Sequence, residues 1–256
     1  MNTMAASGVV TGARHLRAAR NGQDAAATIV DGDRAVAVVC DGCSAGTGSE
    51  VGAWLGAMLF TRAIATRLAR GEPPSDPALW AAARAGVGLE LQRLAGGEVI
   101  ELGALRECFL FTIVAVAATR DAAAVWALGD GAYAVDGATR TLGPFDDNAP
   151  PYLAYDLLGD ARAAHFEVLP AAARTIVIAT DGAGDLAAAL GRDGDLARFG
   201  GARFVEHPDA LRRELARLAR ADERIDWHER RVVRAPAPLQ DDCAIAVVRR
   251  AVEAVA

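Results

Sequence analysis

The sequence predicts an α+β fold in which two antiparallel sheets lie between helices. Helical periodicity is concentrated early, over residues 49–95. Strand-like runs then follow one another in hairpin order between 109 and 179, and alternating strand–helix units, the mark of a doubly wound parallel sheet, are few. No linker, internal repeat or low-complexity tract divides the 256 residues, so one domain, 1–256, is expected.

After a short start, residues 25–40 read as a β-hairpin: Ala26-Ala27-Thr28-Ile29-Val30, a polar tip at Asp31-Gly32-Asp33, and a second apolar run at 35–39. Residues 49–70 read as an amphipathic helix with Val51, Trp54, Leu55, Met58, Leu59 and Ile64 on its core side, Ser49 as N-cap and Gly71-Glu72-Pro73-Pro74 as its stop. A second helix is expected over 76–95, with Leu79, Trp80, Ala83, Val87 and Leu91 on one side. Strands are expected at 109–118, 123–128, 132–135, 164–169 and 175–179, with an ordered loop at 143–155. From 185 to 238 the pattern reads as helical and charged, notably 208–221 with Leu211, Leu215 and Leu218 on one stripe, and Arg212 to Arg234 reads first as a solvated helix face. A closing strand follows at 243–248.

Composition removes several classes of function. A net charge of −6 and a pI near 5.3 argue against a nucleic-acid surface, which needs clustered basic charge. No apolar run reaches the ~20 residues that span a bilayer, and Met1 to Val10 lacks a secretory pattern, so a cytoplasmic protein with no membrane partner is expected. The scattered cysteines Cys40, Cys43, Cys108 and Cys243 read as small, reduced residues; a zinc site at Cys40 and Cys43 lacks two further ligands. A phosphotransfer enzyme with an aspartyl nucleophile would require a lysine, and the chain contains none.

Acidic residues carry the chemistry. Three times an apolar strand ends directly on an aspartate beside glycine: Cys40-Asp41-Gly42, Gly129-Asp130-Gly131 and Thr180-Asp181-Gly182. Asp24 precedes the first hairpin strand, and Asp241-Asp242 precedes the last strand. One Asp-Gly after a strand is ordinary turn chemistry. Several carboxylates at one sheet end repel one another unless cations neutralise them, and an all-oxygen donor set suits Mg²⁺ or Mn²⁺.

Asn21-Gly22-Gln23-Asp24-Ala25, Asp41-Gly42-Cys43-Ser44-Ala45-Gly46, Gly129-Asp130-Gly131, Thr180-Asp181-Gly182-Ala183-Gly184-Asp185 and Asp241-Asp242 resemble, in order and spacing, the successive motifs of the type-2C metal-dependent protein phosphatases. Gly12-Ala13-Arg14-His15 and Asn148-Ala149-Pro150-Pro151-Tyr152 resemble a compact bacterial branch of that family. The resemblance implies a four-layer sandwich of two antiparallel sheets flanked by helices, with a variable helical flap at about 186–238. This flap gives Arg212 to Arg234 an alternative reading, as a surface that steers a phosphorylated substrate. The resemblance also implies two Mn²⁺ or Mg²⁺ ions and, as in some members, a weaker third. Asp41 matches the bridging carboxylate, the Gly42 carbonyl a second-metal ligand, Asp181 and Asp241 the first-metal ligands, and Asp24 a residue that holds metal-bound water. Asp130 and Asp185 match third-metal positions. The implied activity is hydrolysis of phosphoserine and phosphothreonine proteins, the products of a serine/threonine kinase, by a hydroxide that two metal ions activate, in a monomer.

The chain also departs from the family. Gln23 stands where a glutamate is usual, and its amide oxygen can still ligate. Cys43 stands where animal members carry a proton-donating histidine. The phosphate-clamping arginine has no aligned equivalent, since Ala19 takes its place; Arg17 or Arg20 is a candidate substitute from a neighbouring position, against the more usual reading of each as a surface arginine. These departures motivate an alternative, a catalytically weak relative that acts as a binding or regulatory module. His15 reads as structural or as a helper at the metal edge, and His165, His207 and His228 as surface residues.

Overall fold

A computed structural model of the chain describes residues 2–146, 149–207 and 209–250. Asn148 of the loop motif, Pro208 at the start of the expected 208–221 helix, and the two chain ends lie outside the described residues. In chain order the elements are β1 (Met4–Val10), α1 (Ala13–Ala18), β2 (Asp24–Asp31), β3 (Arg34–Gly42), α2 (Ser49–Ala69), α3 (Pro77–Leu94) and α4 (Leu102–Cys108). Next come β4 (Phe111–Ala118), β5 (Ala123–Leu128), β6 (Gly131–Val135), β7 (Ala138–Leu142), β8 (His165–Val168) and β9 (Thr175–Ala179). The last are α5 (Ala183–Leu190), α6 (Arg203–Glu206), α7 (Ala210–Leu218), β10 (Asp222–Asp226), β11 (Arg231–Ala235) and β12 (Cys243–Arg249).

Two five-stranded antiparallel sheets form, in the orders β1-β12-β9-β6-β7 and β2-β3-β4-β5-β8, and β10-β11 stand apart as a hairpin. Strand alternation sorts the apolar residues into layers. In β3, Val36, Val38 and Cys40 pack under the early helices, while Ala35, Ala37 and Val39 face the other sheet. In β12, Ala244, Ala246 and Val248 face that same inter-sheet core, while Cys243, Ile245 and Val247 pack against Leu211, Leu215 and Leu218 of α7. Helix, sheet, sheet and helix thus make four layers, as expected.

The layer under α2 and α3 is the bulky one. Phe60 and Trp80 stack on Trp126 with ring centroids 5.0 and 6.4 Å away, and burying each such side chain contributes about 1.5–3 kcal/mol. The inter-sheet layer is mostly alanine and valine, with Tyr133, Leu169, Ile176 and Ile178 as its larger members. Its far end is closed by buried Arg250, whose guanidinium donates to the carbonyls of Thr119, Arg120, Ala171 and Ala173.

Several expectations are corrected. The buried stripe of α2 is Gly52, Ala53, Gly56, Ala57, Phe60, Ile64 and Leu68, whereas Val51 and Trp54 are exposed. Close approach decides the face: a Cβ on Gly52 would lie 1.9 Å from the Cys108 carbonyl oxygen, and one on Gly56 would lie 2.3 Å from the Phe111 ring. Ser49 is not the N-cap but the first helical residue, fully buried. Strand β1 was hidden in a run of Ala, Ser and Gly without strong alternation, and β7 in an exposed, polar edge.

Residues 222–235 are not a helix face. They form a hairpin in which Ile225 faces Val232, and Glu223 pairs with Arg234 at 2.9 Å. Alternating charges support either structure, and cross-strand pairing wins here. His165 is a surface residue, but it has a partner in the Tyr133 hydroxyl at 3.1 Å.

Candidate active site

The parity that fills the inter-sheet core continues into a polar residue at one end of β2, β3, β4, β9 and β12. Ala35, Ala37 and Val39 lead to Asp41; Ala26 to Asp24; Val116 and Val114 to Thr112. Ile176 and Ile178 lead to Thr180, and Ala246 and Ala244 to Asp242. These ends surround a cavity of about 260 Å³ lined by Asp24, Asp41, Asp130, Asp181, Asp241 and Asp242, with Gln23 and Gly42 beside them and Cys43 and Tyr152 on one wall. No arginine or histidine lines it among the described residues.

Asp24 and Asp41 face each other across the β2–β3 ladder, and their carboxyl groups hydrogen-bond to one another. Asp24 Oδ2 also accepts from the Thr180 hydroxyl at 2.5 Å. Burial, opposed by the Thr180 and Asp41 hydrogen bonds and reinforced by Asp242 and Asp181, pushes Asp24 up to about 7. Burial and then the charges of Asp24 and Asp181 hold Asp41 well above the usual carboxylate range. Burial, followed by Asp130 and Asp241, raises Asp181 to about 6. Asp130 is raised by burial, and its Oδ1 is buried without a hydrogen-bond partner.

The last strand brings a lock. Asp242 is buried; its Oδ1 accepts from the Gly12 N–H at 2.7 Å, and its Oδ2 from the Gln23 N–H at 2.6 Å while lying 2.7 Å from His15 Nδ1. Glycine permits the approach of these segments: a Cβ on Gly12 would lie 2.1 Å from the Asp241 carbonyl carbon, and one on Gly182 would lie 1.8 Å from the Asp242 oxygen. Asp185 lies outside the cavity lining, and its Oδ2 accepts from the Gln240 and Asp241 N–H groups at 3.0 and 2.8 Å. It orients the loop that carries Asp241.

The Gln23 amide nitrogen donates to Ser49 Oγ at 2.5 Å and lies 3.3 and 3.4 Å from the Cys43 and Gly46 carbonyls. That leaves its amide oxygen as the end free to meet a cation. Arg17 and Arg20 are both exposed and outside the cavity lining, and Arg17 reaches Gln240 Oε1 at 3.2 Å. Thr180 and Asp242 are the functional side chains to which sequence reasoning gave no role; their parity with the inward residues of β9 and β12 was the available signal. His15, Asp241 and Asp242 place ligand atoms within 4.8 Å of one another. Since His15 Nδ1 and both Asp242 oxygens are already engaged in hydrogen bonds, this trio braces the site.

An all-oxygen set of mutually repelling, half-buried carboxylates, one with an orphaned oxygen, fits hard divalent cations. A pH dependence follows for the metal-free chain. Asp24, Asp41 and Asp181 titrate above the unfolded range near 3.9, so the folded state binds more protons than the unfolded one between about pH 4 and 7. Stability is therefore lost as pH rises through that window. In EDTA the melting temperature should fall by several degrees from pH 5 to pH 8, and saturating Mn²⁺ should flatten the slope and raise the pH 8 value. Calorimetric melts with and without the ion check both signs.

Comparison with known proteins is consistent with this geometry. Residues 11–222 match the family model described as Protein phosphatase 2C. No protein of curated function matches the chain in sequence. Among solved structures, the catalytic domain of the serine/threonine protein phosphatase PstP in complex with two manganese ions is similar at TM-score 0.55 and 14% identity, covering 98% of this chain and 99% of that one. PppA, a key regulatory component of T6SS in Pseudomonas aeruginosa, is similar at TM-score 0.55 and 18% identity, covering 98% of each chain. RsbX in complex with magnesium is similar at TM-score 0.51 and 10% identity, covering 98% of this chain and 96% of that one. At these identities the likeness is one of fold.

Proposed function

The chain belongs to the protein phosphatase 2C family, and from that premise we propose that the acidic end of its inter-sheet core is the catalytic centre. It is a metal-dependent serine/threonine phosphoprotein phosphatase by family. The observation that carries the site assignment is the ring itself: six aspartates line one cavity and no cation of the chain's own lines it among the described residues.

Asp41, the Gly42 carbonyl, Asp181, Asp241 and the Gln23 amide oxygen would hold two Mn²⁺ or Mg²⁺ ions, with Asp130 and Asp185 near a weaker third. When bound, the ions supply Lewis acidity and lower the pKa of water. The residues do the remainder. Asp24, opposite Asp41 on the β2–β3 ladder and held at Oδ2 by the Thr180 hydroxyl, is positioned to accept a hydrogen bond from water in the site. Asp185 and Asp242 fix the Asp241 loop and the start of β2, so the ligand oxygens are set before substrate arrives. Burial, then the neighbouring Cys43 thiol, push the Tyr152 pKa up. Tyr152 thereby remains a donor on the wall where animal relatives place a histidine.

The proposal extends to a cytoplasmic monomer acting on esters made by a serine/threonine kinase. Of the expected flap at 186–238, α7 packs into the outer helix layer, and the β10–β11 hairpin, apart from both sheets, is the portion proposed as the flap. Free thiols at Cys40, Cys43, Cys108 and Cys243 suit a reducing compartment. Among the described residues no helix is long and apolar enough to cross a membrane. The test is phosphate release from phosphoserine and phosphothreonine peptides with Mn²⁺ or Mg²⁺, alongside calorimetric Mn²⁺ titration. Turnover lost in EDTA and two bound ions are expected. No release with either ion and no bound Mn²⁺ would instead mark a non-catalytic binding module.

A further inference from the structure

A second cavity, of about 440 Å³, opens beside the acidic one, and Asp181 lines both. Its character is different. Ala132 and Leu142 of the β6–β7 hairpin form one wall, and Ala183, Ala187 and Leu196 the other, with Thr139, Thr141 and Arg192 as the polar members of a mainly apolar lining. The one carboxylate at its far side, Asp195, is already satisfied by the Thr139 hydroxyl at 2.6 Å and the Ala197 N–H at 2.9 Å. An apolar cleft is thus contiguous with a strongly acidic centre and shares a wall residue with it.

We infer that this cleft takes the apolar side chain of the substrate residue two positions from the phosphoserine or phosphothreonine. The inference rests on the phosphatase reading above and adds a sequence preference to it. In an extended peptide, side chains at i and i+2 point to the same side about 7 Å apart, which suits two adjoining pockets. The phosphoprotein is the one partner whose presence at Asp181 the family activity requires, and continuity through Asp181 makes its flanking residue the occupant. Alanine walls leave the room, and an aliphatic or aromatic side chain gains by leaving water there.

The test uses two phosphopeptides identical except for leucine or glycine at that position, on the Mn²⁺-loaded enzyme. The leucine peptide should show a kcat/KM about tenfold higher, carried mainly by KM. Ala187→Trp and Thr141→Trp fill the cleft from opposite walls, and both positions are exposed and outside the acidic set. Each variant should bring the leucine-to-glycine ratio close to one and leave p-nitrophenyl phosphate turnover unchanged, because that substrate has no flanking residue. Melting temperatures show which variant is folded, and either folded variant decides the question. Equal kcat/KM for both peptides in the wild type, or a ratio that survives filling, overturns the inference while intact p-nitrophenyl phosphate turnover leaves the phosphatase reading standing. Absence of that turnover in the wild type overturns both.

Discussion

Asp41→Asn should lower phosphatase turnover by about 10³-fold or more and, in EDTA at pH 8, raise the melting temperature. The two effects have opposite signs because the same charge serves one purpose and burdens the other. Asp41 ends the inward register of β3, opposite Asp24 and within the field of Asp181 and Asp130. Its carboxylate is pushed well above the ordinary range because burial and neighbouring anions disfavour ionisation. Asparagine keeps the shape and removes the repulsion, so the metal-free chain gains. The same change removes an anionic ligand from the centre of the ring, so Mn²⁺ binding and turnover fall together. Phosphate release, Mn²⁺ calorimetry and thermal melts on one variant examine the whole claim; unchanged Mn²⁺ binding would mean that Asp41 is not a ligand.

The strand ends were legible because an apolar run followed by Asp-Gly announces both the sheet and the residue at its rim, as at Asp41 and Asp181. The four-layer arrangement followed from residue order and from the resemblance. The face of α2 was not legible, since bulky Trp54 looks like core and small Gly52 and Gly56 do not, yet only glycine can pass Cys108 and Phe111 at that distance. The 222–235 hairpin was obscured because Arg and Glu in alternation favour a helix surface and an exposed ladder equally. The motif at Asp185 carries its match to a third-metal position but not its bracing of the Asp241 loop. In the structure its carboxylate is bonded to the Gln240 and Asp241 amides, a tertiary relation across 55 and 56 residues that local pattern cannot show.

Asp242 illustrates the same limit, and its removal is the second large effect expected. The resemblance assigns a metal position to Asp241 and nothing to Asp242, and strand parity supplies the role of the second. Asp242 continues the buried inward file of Ala244 and Ala246, and there it joins three segments: Gly12 after β1, His15 in α1 and Gln23 at the mouth of β2. Asp242→Ala strands the buried Gly12 and Gln23 N–H groups and releases His15. Each stranded donor costs about 1–3 kcal/mol. For a chain of this size that total corresponds to a fall in melting temperature on the order of 10 °C. Unlike Asp41→Asn, the change should destabilise the chain in EDTA and in Mn²⁺ alike, because what is lost is a scaffold bond. Turnover should fall in proportion to displacement of Gln23 and Asp241, and excess Mn²⁺ should restore part of it. A melting temperature unchanged within a degree would show that the junction of β1, β2 and β12 holds without this carboxylate.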